Sequence, residues 1–491
     1  MYKIKSLYYF QTNNFLRLCA FALLGAMVTL LFSLDGSVLF PQYVSDYAVF
    51  RTMGLGWMHG AVPYRDLFDN KGPLHLLLQI VGQLIWPGKG GIWLMEVVCI
   101  AAVLEMLFQC GRVLGATGRL RWFAMGVAVL LYVECVKGGN TVETWSLPFQ
   151  ALALWLGLRN LRSGLGRRCW AVAMVLGMCF GAVALIRVNN NAVVCGVTLA
   201  LGWEQLRSAR YADLARCALA FIAGMVAVVA PFAAYFHLTG TADEAFYSLY
   251  VYSVHYNVVW DRPDAFGYFE NFRKLLPSLF VPFLAHAYDR RFGTRTFVMA
   301  LCMGALSFLL FIHSPGYDHY FLMQIPLAVL CVYLTRGMRR SMQIVVAVLV
   351  SLQFWACLPR FEKRHIRPLR HSLLECRGLR TPRNRHLHLE LIPEAERDSI
   401  YMGLINIESL DGALADDGRV PVGKFFFLQQ QIAAVDDEVC VDVVESFREA
   451  RPLWVATDYD FFDDPLFAPF AGDYAPVASP HEALMLYRRV D

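Results

Sequence analysis

Apolar runs close to twenty residues long recur along most of the chain and are separated by short polar breaks. They fall at roughly 16–34, 91–111, 122–136, 145–158, 169–186, 191–205, 215–236, 275–288, 296–312, 321–335 and 341–358. A helix needs about 20 apolar residues to cross the ~30 Å hydrocarbon core, and only a segment that satisfies its own backbone can cross it. The pattern predicts an α-helical polytopic membrane protein with about eleven transmembrane helices.

Positive charge collects in alternate breaks. The basic sets are Lys3, Lys5 and Arg17; Arg112, Arg119 and Arg121; Arg159, Arg162, Arg167 and Arg168; Arg207, Arg210 and Arg216; Arg290, Arg291 and Arg295; and Arg336, Arg339 and Arg340. The positive-inside rule puts these in the cytoplasm with the N-terminus. Segments 35–90, 137–144, 187–190, 237–274, 313–320 and everything after 359 are then external. This holds only if 73–88 does not span. As a helix that stretch reaches about 24 Å, and it carries His75, Gln79 and Gln83. It reads as an interfacial or re-entrant helix.

The pattern changes at residue 359. Residues 1–358 form the expected transmembrane domain, and 359–491 a charged tail with scattered Pro and Gly. Within the tail, 452–457 and 484–488 read as strands, while 399–407 and 420–431 suit strand or helix. A stretch of this length holds a small α/β core, expected on the external side. Its only cysteines, Cys376 and Cys440, are a candidate pair in an oxidising compartment.

Composition narrows the class. The chain is 57% hydrophobic and 17% charged, outside the range of ordinary soluble domains. A net charge of +4 is too small to point to nucleic acid. Most cysteines lie inside apolar runs, where they act as small hydrophobes, and none has zinc or redox-pair spacing.

Candidate chemistry concentrates in the external segments. Asp46 is followed by Val49, Phe50, Met53, Trp57 and Met58 at helical spacing, which predicts an amphipathic helix in the membrane interface. The helix dipole favours a carboxylate at its start, and the ordinary role of an Asp there is a cap. Lys71, just before Gly72-Pro73, suits a phosphate head group as a point charge; snorkelling is its plain alternative. Asp66 and Asp69 could hold a divalent cation but lack a third ligand, so no metal ligands are assigned. In Gly139-Asn140-Thr141-Val142-Glu143 the loop has little slack, which holds Glu143 near the membrane boundary. Asn140 and Glu143 also approach a capping box. Arg187 and His319-Tyr320 add cationic and polar groups on the same face. Glu96 and Glu105 lie within a span, where a carboxylate is either functional or hydrogen-bonded to the bundle.

These motifs resemble those of the GT-C membrane glycosyltransferases, in the branch of the protein O-mannosyltransferases and the bacterial lipid A aminoarabinose transferase. The resemblance rests on Asp46-Tyr47, Gly60-Ala61-Val62-Pro63-Tyr64-Arg65-Asp66, Asp69-Asn70-Lys71-Gly72-Pro73, Gly139 to Glu143, and His319-Tyr320 followed by Pro326. Asp46 stands alone where many members carry two adjacent acids. The resemblance implies a GT-C fold with an external α/β domain in a bacterial inner membrane. It implies inverting transfer from a polyprenyl-phosphate-linked sugar to a glycan, lipid or protein acceptor at the external face. Asp46 would then be the general base, and Glu143 would orient the acceptor or share that work. Lys71, with Arg187 or His319, would stabilise the leaving phosphate, and Arg65, Asp69 and Tyr320 would be further substrate contacts. No cofactor is assigned beyond an open place for a divalent cation. The rival reading is a lipid or oligosaccharide transporter or flippase, whose expected inverted repeats are not visible in the sequence.

Overall fold

The computed structural model describes residues 2–33, 36–39, 46–136, 138–166, 168–259, 263–288, 293–314, 317–346, 366, 369–370, 374, 389–405, 412–477 and 484–490. Cys376 and most of the run expected at 341–358 lie outside them.

Long helices follow the apolar runs: α1 (Tyr2–Phe32), α4 (Gly90–Val113), α5 (Gly118–Cys135), α6 (Val142–Arg162), α7 (Cys169–Arg187), α8 (Ala192–Arg207) and α9 (Tyr211–Leu238). Shorter helices α2 (Asp46–Met58) and α3 (Pro73–Ile85) lie between α1 and α4. After α9 come α10 (Ala242–Phe246), one π turn, α11 (Tyr252–Val259), α12 (Ala265–Tyr288), α13 (Gly293–Phe311), and a 3-10 segment leading into α14 (Ile325–Leu334). By length and composition, four helical stretches of the described residues are apolar enough to cross a membrane: 14–32, 90–113, 169–207 and 211–238. This is fewer than the eleven or so runs expected. Several of the others are short, as in α3, 295–311 and 318–334, and α6 carries Glu143, Arg159 and Arg162 within its length.

The helices bury polar groups and expose apolar ones, as an apolar solvent requires. In α3, His75, Gln79 and Gln83 are buried, whereas Leu84 and Ile85 are exposed. The backbones of α7 and α9 touch through glycine. A Cβ on Gly177 would lie 1.9 Å from the Phe221 carbonyl oxygen, and one on Gly224 would lie 2.0 Å from that of Met174. Small residues at a helix contact are how membrane helices gain packing without a hydrophobic drive between them.

The tail holds a four-stranded mixed sheet of β1 (Ile400–Gly403), β2 (Trp454–Thr457), β3 (Tyr474–Val477) and β4 (Met485–Arg489), in the order β1-β2-β4-β3. β1 and β2 are parallel, and the other two pairings are antiparallel. Helix α15 (Asp437–Ala450) starts with the Asp436 carboxylate accepting from the Val439 N–H at 2.9 Å. The stretch 420–431 is neither a strand nor one helix; it becomes helical only at Gln429.

The tail and the first loop share one apolar core. Val49, Phe50 and Met53 of α2 cluster with Ile400, Met402, Leu414 and Phe426. Helix α2 is therefore buried from Tyr47 to Gly56 by protein, not laid open on a membrane surface as its apolar stripe implied. Its polar side is covered too: Arg51 is 1% exposed, and its Nη1 lies 2.5 Å from Asp416.

Candidate active site

The first loop is built by its own side chains. Tyr64 adopts a left-handed backbone (φ 74°) and is fully buried. Its hydroxyl donates to the Lys71 carbonyl at 2.7 Å. Burial, then the Asp69 charge, raises the Tyr64 phenol well above its usual range, so it stays a donor. Asp66 accepts from the Val62 N–H at 2.7 Å and pairs with Arg65. The Pro63-Tyr64-Arg65-Asp66 motif thus folds a turn that presents Lys71.

At the end of that turn, α3 meets α7. The Gly72 N–H donates to the Ile186 carbonyl at 3.0 Å, and a Cβ on Gly72 would sit 2.0 Å from the Leu185 oxygen. No other residue fits without moving one helix. This contact brings Lys71 alongside Arg187, where the chain leaves helical geometry (φ −162°, ψ 118°).

A cavity of about 450 Å³ opens here. The transmembrane side contributes Asp46, Asp69, Lys71, Glu143, Arg187, His319 and Tyr320 to its wall. The segment after α9 adds Tyr250, Tyr252 and Tyr256, and the tail adds Ile405, Phe427, Leu428 and Gln431. Seven of the eight residues singled out from the sequence therefore face one space. The eighth, Arg65, lies outside it, with a half-exposed side chain bonded to Asp66 at 2.7 Å.

Charge in the cavity is paired but not sealed. Arg187 donates to the Glu143 carboxylate at 2.9 Å and to the Tyr320 hydroxyl at 2.8 Å, and its guanidinium lies 4.2 Å from the Tyr320 ring centroid. Glu143 is 1% exposed, and its Oε2 has no hydrogen-bond partner among the described residues. Lys71 donates to Asn70 at 2.6 Å and to Asp69 at 3.3 Å, while its side chain stays 27% exposed. Asp69 Oδ2 is also buried without a partner among the described residues. The His319 ring stacks on Tyr317 at 5.7 Å between centroids and meets Tyr320 edge-on at 4.7 Å. Asp46 opens α2, so its carboxylate sits at a helix N-terminus.

The carboxylates considered for a cation do not share a centre: Asp66 turns to Arg65 and Val62, and Asp69 to Asn70 and Lys71. Among the described residues, no group of three or more His, Cys, Asp or Glu is disposed to hold a metal.

The arrangement offers two cations and three carboxylates under a tyrosine-rich wall. The tyrosines of 250–256 and the tail residues carry no local sequence signal, because only the fold brings them to the cavity. Asn140 and Gln79 could have been flagged as amides at a glycine turn and inside an apolar helix.

No family profile matches the sequence, nor does any curated protein. Solved structures do. ArnT from Cupriavidus metallidurans in the apo state superposes with a TM-score of 0.57 at 14% identity, over 98% of this chain and 98% of that one. The same protein bound to undecaprenyl phosphate gives a TM-score of 0.59 at 14% identity, over 95% of this chain and 96% of that one. The chain has the ArnT fold. The fold expected from the resemblance to the aminoarabinose transferase is the one observed.

Proposed function

We propose that this protein is a membrane glycosyltransferase that moves a sugar from a polyprenyl-phosphate donor to an acceptor nucleophile, with inversion. One observation carries the reading. In the ArnT fold, a lone Asp at a helix start, a buried Glu–Arg pair and a part-exposed Lys line a single cavity. Undecaprenyl phosphate, found in a complex with ArnT, supports the class of carrier.

The chemistry follows from charge. The acceptor hydroxyl attacks the anomeric carbon, its proton passes to Asp46, and the bond from that carbon to the carrier phosphate oxygen breaks. The departing polyprenyl phosphate keeps the electron pair. Lys71 and Arg187 compensate its charge as it develops. Glu143 orients the acceptor through Oε2, which has no partner among the described residues, while its other oxygen stays on Arg187. His319 and the tyrosines present ring faces and hydroxyls to the sugars. The apolar helix surfaces below the cavity suit the prenyl chain. We place the cavity on the periplasmic side of a bacterial inner membrane, with the tail as an external domain.

The test uses the full-length protein in nanodiscs. Undecaprenyl phosphate should bind, and free polyprenyl phosphate should appear from a polyprenyl-phosphate hexose or pentose when envelope extract supplies acceptors. A protein that binds no polyprenyl phosphate and releases none from any such donor is not this enzyme.

A further inference from the structure

Three residues before Glu143, the chain makes a turn that its backbone alone would not hold. Gly138, Gly139 and Asn140 all have positive φ, at 72°, 95° and 55°. Asn140 is not glycine, so this conformation costs it free energy that its neighbours must return. It is fully buried, and its groups are satisfied from three different helices. Its backbone N–H donates to Glu96 of α4 at 2.7 Å. Its amide exchanges two bonds with Gln79 of α3, at 2.8 and 2.9 Å. Its Oδ1 also accepts from the Trp145 indole N–H of α6 at 2.8 Å. Gln79 is itself wedged against α2, since a Cβ on Gly54 would lie 2.3 Å from its Cβ. The next residue, Thr141, caps α6 by accepting from the Thr144 N–H at 3.2 Å. Glu143 follows in the first turn of that helix.

We propose that Asn140 is the positioning residue for Glu143. Its amide locks the start of α6 to α3, and so to α2, which begins with Asp46. The lock fixes the Glu143 carboxylate between Arg187 and the cavity while Asn140 itself touches no substrate. The inference rests on the transferase reading above. The physical argument is that a buried amide held by three bonds has one orientation, and any shift leaves polar groups unpaired in an apolar surround. A turn held by Gly-Gly alone would let Glu143 wander by the ångström or so that catalysis does not tolerate.

The experiment is a double-mutant cycle on the full-length protein in nanodiscs, with undecaprenyl phosphate as the binding probe and release of polyprenyl phosphate from its sugar conjugate as turnover. Asn140→Gly keeps the left-handed backbone at no steric cost and removes only the amide. Turnover should fall roughly 10- to 100-fold, with undecaprenyl phosphate affinity unchanged. In a Glu143→Gln background, the same substitution should cost nothing further, because the group it positions has already been disabled. Trp145→Phe deletes a single bond to Asn140 and should show a smaller loss that also vanishes in that background. If Asn140→Gly fails to fold, Trp145→Phe decides alone. Losses that multiply with Glu143→Gln, or full turnover in Trp145→Phe, overturn the positioning role while leaving the transferase intact. A wild type that binds and turns over nothing overturns both.

Discussion

At the scale of single residues, the two ends of the proposed reaction are separable. Asp46→Asn keeps size and most capping ability but removes the basic oxygen. Turnover should drop about 10²–10⁴-fold, as for a general base, with undecaprenyl phosphate binding retained. A cap would cost only about 1 kcal/mol of stability. A variant that keeps a third or more of wild-type turnover would make Asp46 a cap and leave Glu143 as the base. Lys71→Ala should instead raise the Kd for undecaprenyl phosphate along with lowering turnover, because its partner is the phosphate. A second residue-level expectation concerns acid. His75 is fully buried, its ring meets Phe50 edge-on at 4.4 Å, and neither ring nitrogen has a partner among the described residues. Burial, with Lys71 nearby, pushes its pKa down to about 3 from 6.5. The unfolded chain then binds a proton that the folded one refuses. The stabilisation is complete above pH 6.5 and is lost as pH falls toward 3. His75→Leu should flatten the decline of Tm between pH 6.5 and 4.5; an identical decline in the variant would show that other groups set the acid limit.

At the scale of elements, the decisive contact is the crossing of α3 and α7 at Gly72. Adding a methyl there must push the Leu185 carbonyl away, and overpacking of this kind costs about 1–3 kcal/mol. Since Lys71 and Arg187 flank the contact, Gly72→Ala should lower both Tm and undecaprenyl phosphate affinity. Gly126→Ala on α5, where an added Cβ meets nothing within 4 Å, should change neither. Elements also show what could be read from sequence and what could not. The long helices were legible because apolar runs of the right length admit one structure in lipid. The stretch 73–88 was legible as a short helix from its length, about 24 Å, and the helix observed is Pro73–Ile85. Helix α2 misled: its apolar face was real, but the surface covering it is the tail, several hundred residues away, and a local pattern cannot distinguish protein from lipid as the apolar partner. The cavity divides in the same way. Asp46, Lys71 and Glu143 stood out as charged groups in external segments held close to the membrane boundary, whereas Tyr250, Tyr252 and Gln431 reach it through a long-range fold.

At the scale of the whole molecule, the polar groups sort to opposite ends. At one end, Arg17 bonds Glu105 at 2.8 Å, and the guanidinium groups of Arg17 and Arg121 share the Phe108 ring at 5.0 and 4.5 Å. Arg210 donates to the Leu165 carbonyl at 2.7 Å, and Arg295 pairs with Glu204 at 2.7 Å. These contacts draw the basic loops together. At the other end, the cavity gathers the first loop, the Asn140 turn, the segment after α9 and the tail. That segment and the first loop are each tied to the tail, since the Tyr247 hydroxyl donates to Asp436 at 2.5 Å and the Phe68 N–H donates to the Lys424 carbonyl at 2.9 Å. Helix α4 runs between the ends, with Glu96 under Asn140 and Phe108 among the arginines, about 18 Å further along. The positive-inside rule keeps arginine loops in the cytoplasm, and the proposed topology then exports the cavity end as a unit. Reporter fusions after residues 118, 165 and 338 should therefore read cytoplasmic, and those after 258 and 420 external. The last two must agree with each other in any topology, because residues 247 and 436 touch. A cytoplasmic signal at both, with the arginine loops outside, would invert the molecule and put the proposed transfer on the wrong side for an exported acceptor.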